Sequence, residues 1–157
     1  MLADAMRTGF LTRVLAVSLV GSAAAVAQTT AADKADAAAL QGVWVLVSAV
    51  ANGKREPDGA AGGAMRTTHG DTTIVMAGEK MVLKATFRVD TSMRPKQIEF
   101  RVLGGEVSRG VIQLGIYEVK GQTLQLCISR PGALRAREFV SREGDYRACT
   151  VWKRSKG

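Results

Sequence analysis

Acid–base or nucleophilic catalysis needs a base, a nucleophile within its reach and a third group that orients the base. The 157-residue chain offers one histidine for that work, His69, in Thr67-Thr68-His69-Gly70-Asp71. The serines beyond residue 27 are Ser48, Ser92, Ser108, Ser129, Ser141 and Ser155, and none sits in a nucleophile-elbow pattern. A histidine beside a turn glycine with no partner at a fixed spacing reads as a surface residue. No His/Cys pair has the spacing of metal ligands. Glu99, Glu106, Glu118, Glu138 and Glu143 are scattered, and nothing in their spacing brings two carboxylates to one pocket. Gly59 to Gly63 lacks the Lys-Ser/Thr that a phosphate-cradling loop requires. The expectation is no catalytic residue, no metal and no cofactor.

Two cysteines, Cys127 and Cys149, are too few for a disulfide scaffold or a cysteine-rich zinc module. An oxidising compartment permits a bridge between them. The alternative is two small buried hydrophobes in separate strands. The formal net charge is +8, from 22 Lys and Arg against 14 Asp and Glu. Arg94, Lys96, Arg130, Arg135, Arg137, Arg142, Arg147 and the tail Lys153-Arg154-Ser155-Lys156 contribute to it. Such a surface could meet nucleic acid or an anionic polymer of the cell envelope, or it is merely solvated arginine. An aromatic content of 5% leaves few rings for base stacking, so no nucleic-acid partner is expected.

The first 27 residues read as an address. Arg7 and Arg13 form a positive region, Val14 to Val26 is a 13-residue run of small and apolar residues, and Ala25-Val26-Ala27 is a small-x-small cleavage site before Gln28. The run is shorter than the ~20 residues of a membrane-spanning helix. The expectation is a signal peptide over 1–27, export to the periplasm or beyond, and no transmembrane segment after processing. Cleavage removes two Arg and one Asp and leaves a net charge of +7. The remaining 130 residues suffice for one core. Residues 28–38 are Ala-rich and read as a flexible or partly helical leader.

From residue 39 the texture is β. Met81, Leu83, Ala85, Phe87 and Val89 alternate with charged or polar residues across 80–90, with Val82 out of phase. Ile98, Phe100 and Val102 repeat the pattern, as do Ile112, Leu114 and Ile116, and Leu124, Leu126 and Ile128. That phase puts Cys127 off the main core face. Residues 43–51 are apolar on both faces, 64–69, 72–76 and 137–140 are weaker strands, and 148–154 is the last. Lys120-Gly121 has hairpin spacing, and 52–63 is a long exposed loop. Eight or nine short antiparallel strands with a short N-terminal helical turn make an up-and-down barrel or a sandwich.

Several motifs in order carry a resemblance. They are Leu40-Gln41-Gly42-Val43-Trp44-Val45-Leu46-Val47, Asp90-x-Ser92-x-x-Pro95-Lys96-x-Ile98, Leu114-Gly115-Ile116-Tyr117-Glu118, Gly121-x-Thr123-Leu124-x-Leu126-Cys127, Arg130-Pro131-Gly132, Glu138-Phe139 and Trp152-Lys153-Arg154. Together they resemble the uncharacterised lipocalin-like domain family best known from planctomycete secreted proteins, over residues 39–154. The resemblance implies a lipocalin-like β-barrel and an exported protein, with no established activity or ligand. The sequence departs from that pattern at Met65 to Asp71, which is more polar than the expected apolar strand, and at Cys149. The resemblance also implies that Arg154 packs over the indole of Trp44 to close the base of the barrel.

The resulting expectation is a non-enzymatic lipocalin-like protein. Its barrel, lined by Leu83, Phe87, Ile98, Phe100, Leu114, Ile116, Leu124 and Leu126, either takes a small apolar or amphipathic molecule or is filled by its own side chains. A cavity there is expected to have few polar atoms. The alternative function is a cell-envelope module that binds an anionic polymer or a protein through its basic loops.

Overall fold

Gly42 and Trp44 set the start of the sheet. Gly42 has φ +99°, a conformation that side-chain-bearing residues avoid, and a Cβ there would lie 3.2 Å from Nη1 of Arg154. Trp44, two residues on, points to the same side and is fully buried. The computed structural model describes residues 28–57 and 63–156, and the signal-type segment 1–27 lies outside the described residues.

The described residues form helix α1 (Ala31–Ala39) and strands β1 (Gly42–Ala51), β2 (Lys54–Arg55), β3 (Met65–His69), β4 (Thr72–Ala77), β5 (Lys80–Asp90), β6 (Gln97–Gly105), β7 (Ile112–Lys120), β8 (Thr123–Ile128) and β9 (Ala148–Arg154). Sequence neighbours from β3 to β9 pair antiparallel, β1 pairs β3, and β9 returns to pair β1. The result is a closed, eight-stranded, up-and-down antiparallel barrel of lipocalin type, with β2 as an extra strand on the end of β1. Closure leaves no free edge among the eight.

Strand β5 shows why one residue broke the alternation. Met76 pairs Met81 while Val75 pairs Leu83, so Val82 is an extra residue in a bulge. Val82 packs on the core, and Met81, expected on the core face, turns outward. Strand β7 is a second correction. Tyr117 and Val119 face the interior, while Ile116 faces outward against Cys127 and Ala136. Leu114 lies opposite the outward Glu99, so it too leaves the lining. The physical reason is that the segment 129–147 folds back over the outside of β7 and β8 and makes that face apolar as well. Ala136 and Phe139 of this segment form the second cluster, and residues 137–140, expected as a strand, are irregular.

The leader is more ordered than its composition suggested. Thr30 and Asp33 form a capping box that starts α1. Asp33 reaches on to the loop after β5, accepting from the Thr91 backbone N–H and hydroxyl at 2.8 Å each. Asp36 accepts from Lys96 Nζ and from the Tyr117 hydroxyl, both at 2.7 Å. At the other end of the helix, Gln41 exchanges hydrogen bonds with Gly70 in the β3–β4 turn. The helix is thereby a plug over one end of the barrel. It is the one described helix, and it is too short and polar to cross a membrane.

Cys127 and Cys149 are bonded to each other across the β8–β9 pair, 22 residues apart in sequence. Loop-closure entropy for that separation is about 3 kcal/mol. Replacing both cysteines by alanine is expected to lower unfolding stability by about that amount, read as a fall in the urea midpoint with the barrel's circular dichroism intact.

Asp33 gives a pH-dependent expectation. Its backbone hydrogen bonds from Thr30 and Thr91, then the two hydroxyls, hold its carboxyl well below the usual carboxylate range. A depressed folded value means the contribution is present above the unfolded value near ~4 and is lost as pH falls toward the folded one. Asp33→Asn is expected to lower the melting temperature at pH 7 and to make it less sensitive to acidification between pH ~4 and ~2. An unchanged acid profile would remove Asp33 from the helix anchor.

Candidate functional site

The base of the barrel is built from backbone groups that need partners. The last carbonyls of a helix have no intrahelical donor. Arg154 supplies donors to Ala39 O at 2.8 Å and Gln41 O at 2.6 Å, and Trp44 Nε1 donates to Leu40 O at 3.0 Å. The Arg154 guanidinium lies 4.1 Å from the centre of the Trp44 ring, a cation–π contact worth about 0.5–2 kcal/mol. Register makes this possible, because Trp44 and Arg154 are direct partners across the closing strands. This pair is structural, since the Trp44 indole N–H and two Arg154 donors are spent on backbone carbonyls at the end of the plug.

The interior above that base holds the chemically active groups. Strand β3 reads Met65-Arg66-Thr67-Thr68-His69, and its inward positions are Arg66 and Thr68. Thr73 of β4 faces them. Arg66 is 5% exposed, donates from Nη1 to Thr73 Oγ1 at 3.1 Å, and leaves Nε with no hydrogen-bond partner. The hydroxyls of Thr68 and Thr73 are 3.1 Å apart. The guanidinium lies 5.6 Å from the centre of the Phe100 ring and 5.0 Å from that of Trp152. Among the described residues no carboxylate pairs with it. Burial pushes its pKa down to about 10, so it is still charged at neutral pH and its desolvation is compensated only by two rings and one hydroxyl.

A void of about 10 Å³ lies beside these groups, lined by Leu40, Arg66, Thr68, Thr73, Phe87, Ile98, Phe100, Leu124 and Leu126. That is space for one water molecule. Of the expected lining residues, Phe87, Ile98, Phe100, Leu124 and Leu126 meet there. Leu83 is buried in the same core away from the void, and Leu114 and Ile116 are outside the barrel. The lining is mostly apolar, and it adds three polar residues that the sequence reading did not place there, Arg66, Thr68 and Thr73. The signal for them was the polar run Met65 to Asp71. Its inward and outward positions are both polar, so alternation could not show which side Arg66 takes.

Larger hollows lie outside the barrel. Grooves of about 390 and 320 Å³ run over the outer faces of β5 and β6. Both grooves share the Arg88–Glu99 pair at 2.8 Å. Neither holds an unsatisfied buried group. His69 is exposed at the end of β3. Among the described residues no three His, Cys, Asp or Glu side chains gather as a metal site.

The basic residues largely serve the protein itself. Arg135 donates to Ile98 O and Gly115 O, and Arg94 to Thr91 O and Met93 O. Arg142 pairs with Glu138, Arg147 with Asp145 and Lys96 with Asp36. Arg130 stacks on Tyr146. Comparison with known proteins gives no matching family model, no matching curated protein and no matching solved structure.

An unpaired buried charge costs stability, and apolar side chains of similar volume often replace such groups with a gain. Arg66→Met is expected to raise unfolding stability by about 1–3 kcal/mol, measured by chemical denaturation at pH 7. A loss of that size instead would show that Arg66 is a structural support held by its two rings.

Proposed function

We propose that the protein is an exported, non-enzymatic binding barrel that takes a small amphipathic molecule into its interior. The observation that carries this reading is the two-sided lining of the interior void. Phe87, Ile98, Phe100, Leu124 and Leu126 supply apolar surface, and Arg66, Thr68 and Thr73 supply a polar wall. Ligand sites are mostly apolar with a few convergent polar groups, and an eight-stranded barrel encloses either side chains or one small ligand. The void is water-sized, so a ligand of several atoms enters as neighbouring side chains part. The void lies against Leu40, the C-cap of the plug helix, so the plug end is the nearer route.

Export is supported by the positive, apolar and small-x-small order of residues 1–27 and by the disulfide, which forms in oxidising compartments. The absence of an enzyme activity is supported by the exposed position of His69 at the end of β3. The lipocalin-like resemblance agrees with both. Binding of an anionic envelope polymer through the basic loops is less well supported, because Arg94, Arg130, Arg135, Arg142 and Arg147 are engaged within the fold.

Titration with butanol, hexanol and their carboxylic acids, followed by tryptophan fluorescence, tests the reading, since Trp44 and Trp152 are both buried in this core. Saturable binding that weakens with chain length and barely responds to added sodium sulfate is expected. Leu126→Ala should cost about 2–5 kcal/mol of stability and favour the longer chain. No saturable response from any of the four compounds would contradict the proposal.

A further inference from the structure

We propose that the polar wall of the barrel interior is a receptor for one compact monovalent anion, held by Arg66 together with the hydroxyls of Thr68 and Thr73. The anion is either a carboxylate head or a free ion of similar size. The amphipathic source rests on the binding reading above; a free ion would occupy the same place without it.

Donor accounting leads to the anion. Arg66 Nε–H has no acceptor, and the Arg66 side chain is part of the void's lining. Thr73 Oγ1 accepts from Arg66 Nη1, and one of the two threonine hydroxyls donates to the other. Two hydroxyl hydrogens share that single bond, so one is left over. The void therefore meets a surplus of donors and a full positive charge, with no acceptor to match. A water could accept both of these hydrogen bonds but would bring two more donors of its own and leave the charge uncompensated. An anion accepts both and neutralises it.

Size and charge narrow the class. Space for one water admits a single ion or the two oxygens of a carboxylate after slight movement of the side chains. One guanidinium, with no second cation in the lining, matches one negative charge. Sulfate and phosphate dianions exceed both limits. The rings of Phe100 and Trp152 on the guanidinium hold it in place for the ligand. The groups that hold an anion are thus positioned before it arrives, which reduces the ordering cost of binding.

The test follows the Arg66 Nε–Hε resonance, assigned by its loss in Arg66→Met. Sodium formate, sodium butanoate and butanamide are titrated at constant ionic strength kept with sodium sulfate. Saturable shifts with formate and butanoate are expected, with butanamide at least tenfold weaker and Thr73→Val weakening formate severalfold. Butanamide binding as well as butanoate would overturn the anion receptor and leave the amphipathic barrel standing. A response to formate with none to butanoate or butanamide would support the receptor and remove the amphipathic ligand. No saturable response to formate or butanoate would overturn the receptor, leaving a site for water only. Should Arg66→Met fail to fold, Arg66→Lys supplies the assignment, and Thr68→Val, which leaves the Arg66–Thr73 hydrogen bond intact, decides between these outcomes.

Discussion

Pairing of the last strand with the first is the constraint on which the rest of the molecule depends. Without β1–β9 pairing the sheet is an open meander with two edges, and no inside exists. With it, Trp44 and Arg154 come into register, and Arg154 can reach the end carbonyls of α1. The same arginine therefore ties together sheet closure, the Trp44 packing and the helix plug. The disulfide across β8 and β9 reinforces the seam from the neighbouring pair. Closure also dictates what may stand inside. An inward polar group in a closed barrel must find its partners there or keep an unmet demand.

Most inward groups comply. Tyr117 sends its hydroxyl to Asp36 on the plug, and burial together with that carboxylate raises its pKa above the usual phenol value. Trp152 Nε1 donates to Thr150 at 2.8 Å. Arg66 is the exception. It carries a full charge at the centre of the core and one hydrogen bond to a neutral oxygen. A methionine of similar length would fill the same space without that cost. That unmet charge is what the proposed anion site inside the barrel rests on, whereas most of the named basic loop residues are engaged within the fold.

The sequence disclosed the architecture through alternation and turn spacing, and the family resemblance implied the seam at Trp44 and Arg154. Its failures share one cause, which is that alternation identifies two faces without saying which is covered. On β7, Ile112, Leu114 and Ile116 looked like lining residues because the segment 129–147 had no visible place; once it folds over the outside, that face is apolar for a different reason. On β5 the bulge at Val82 reversed the phase of Met81. On β3 both faces are polar, so Arg66 and Thr68 were hidden by the same rule that found Phe87 and Phe100. Ala-rich residues 31–39 gave weak local signals because α1 is fixed by tertiary contacts from Asp33 and Asp36 rather than by an apolar stripe.

Anomalous diffraction from crystals grown in sodium bromide tests the central claim most directly, because bromide is a compact monovalent anion that reports its own position. A bromide peak is expected inside the barrel, within reach of the Arg66 guanidinium and the Thr68–Thr73 hydroxyl pair. Bromide confined to the outer surface, with water alone beside Arg66, would contradict it.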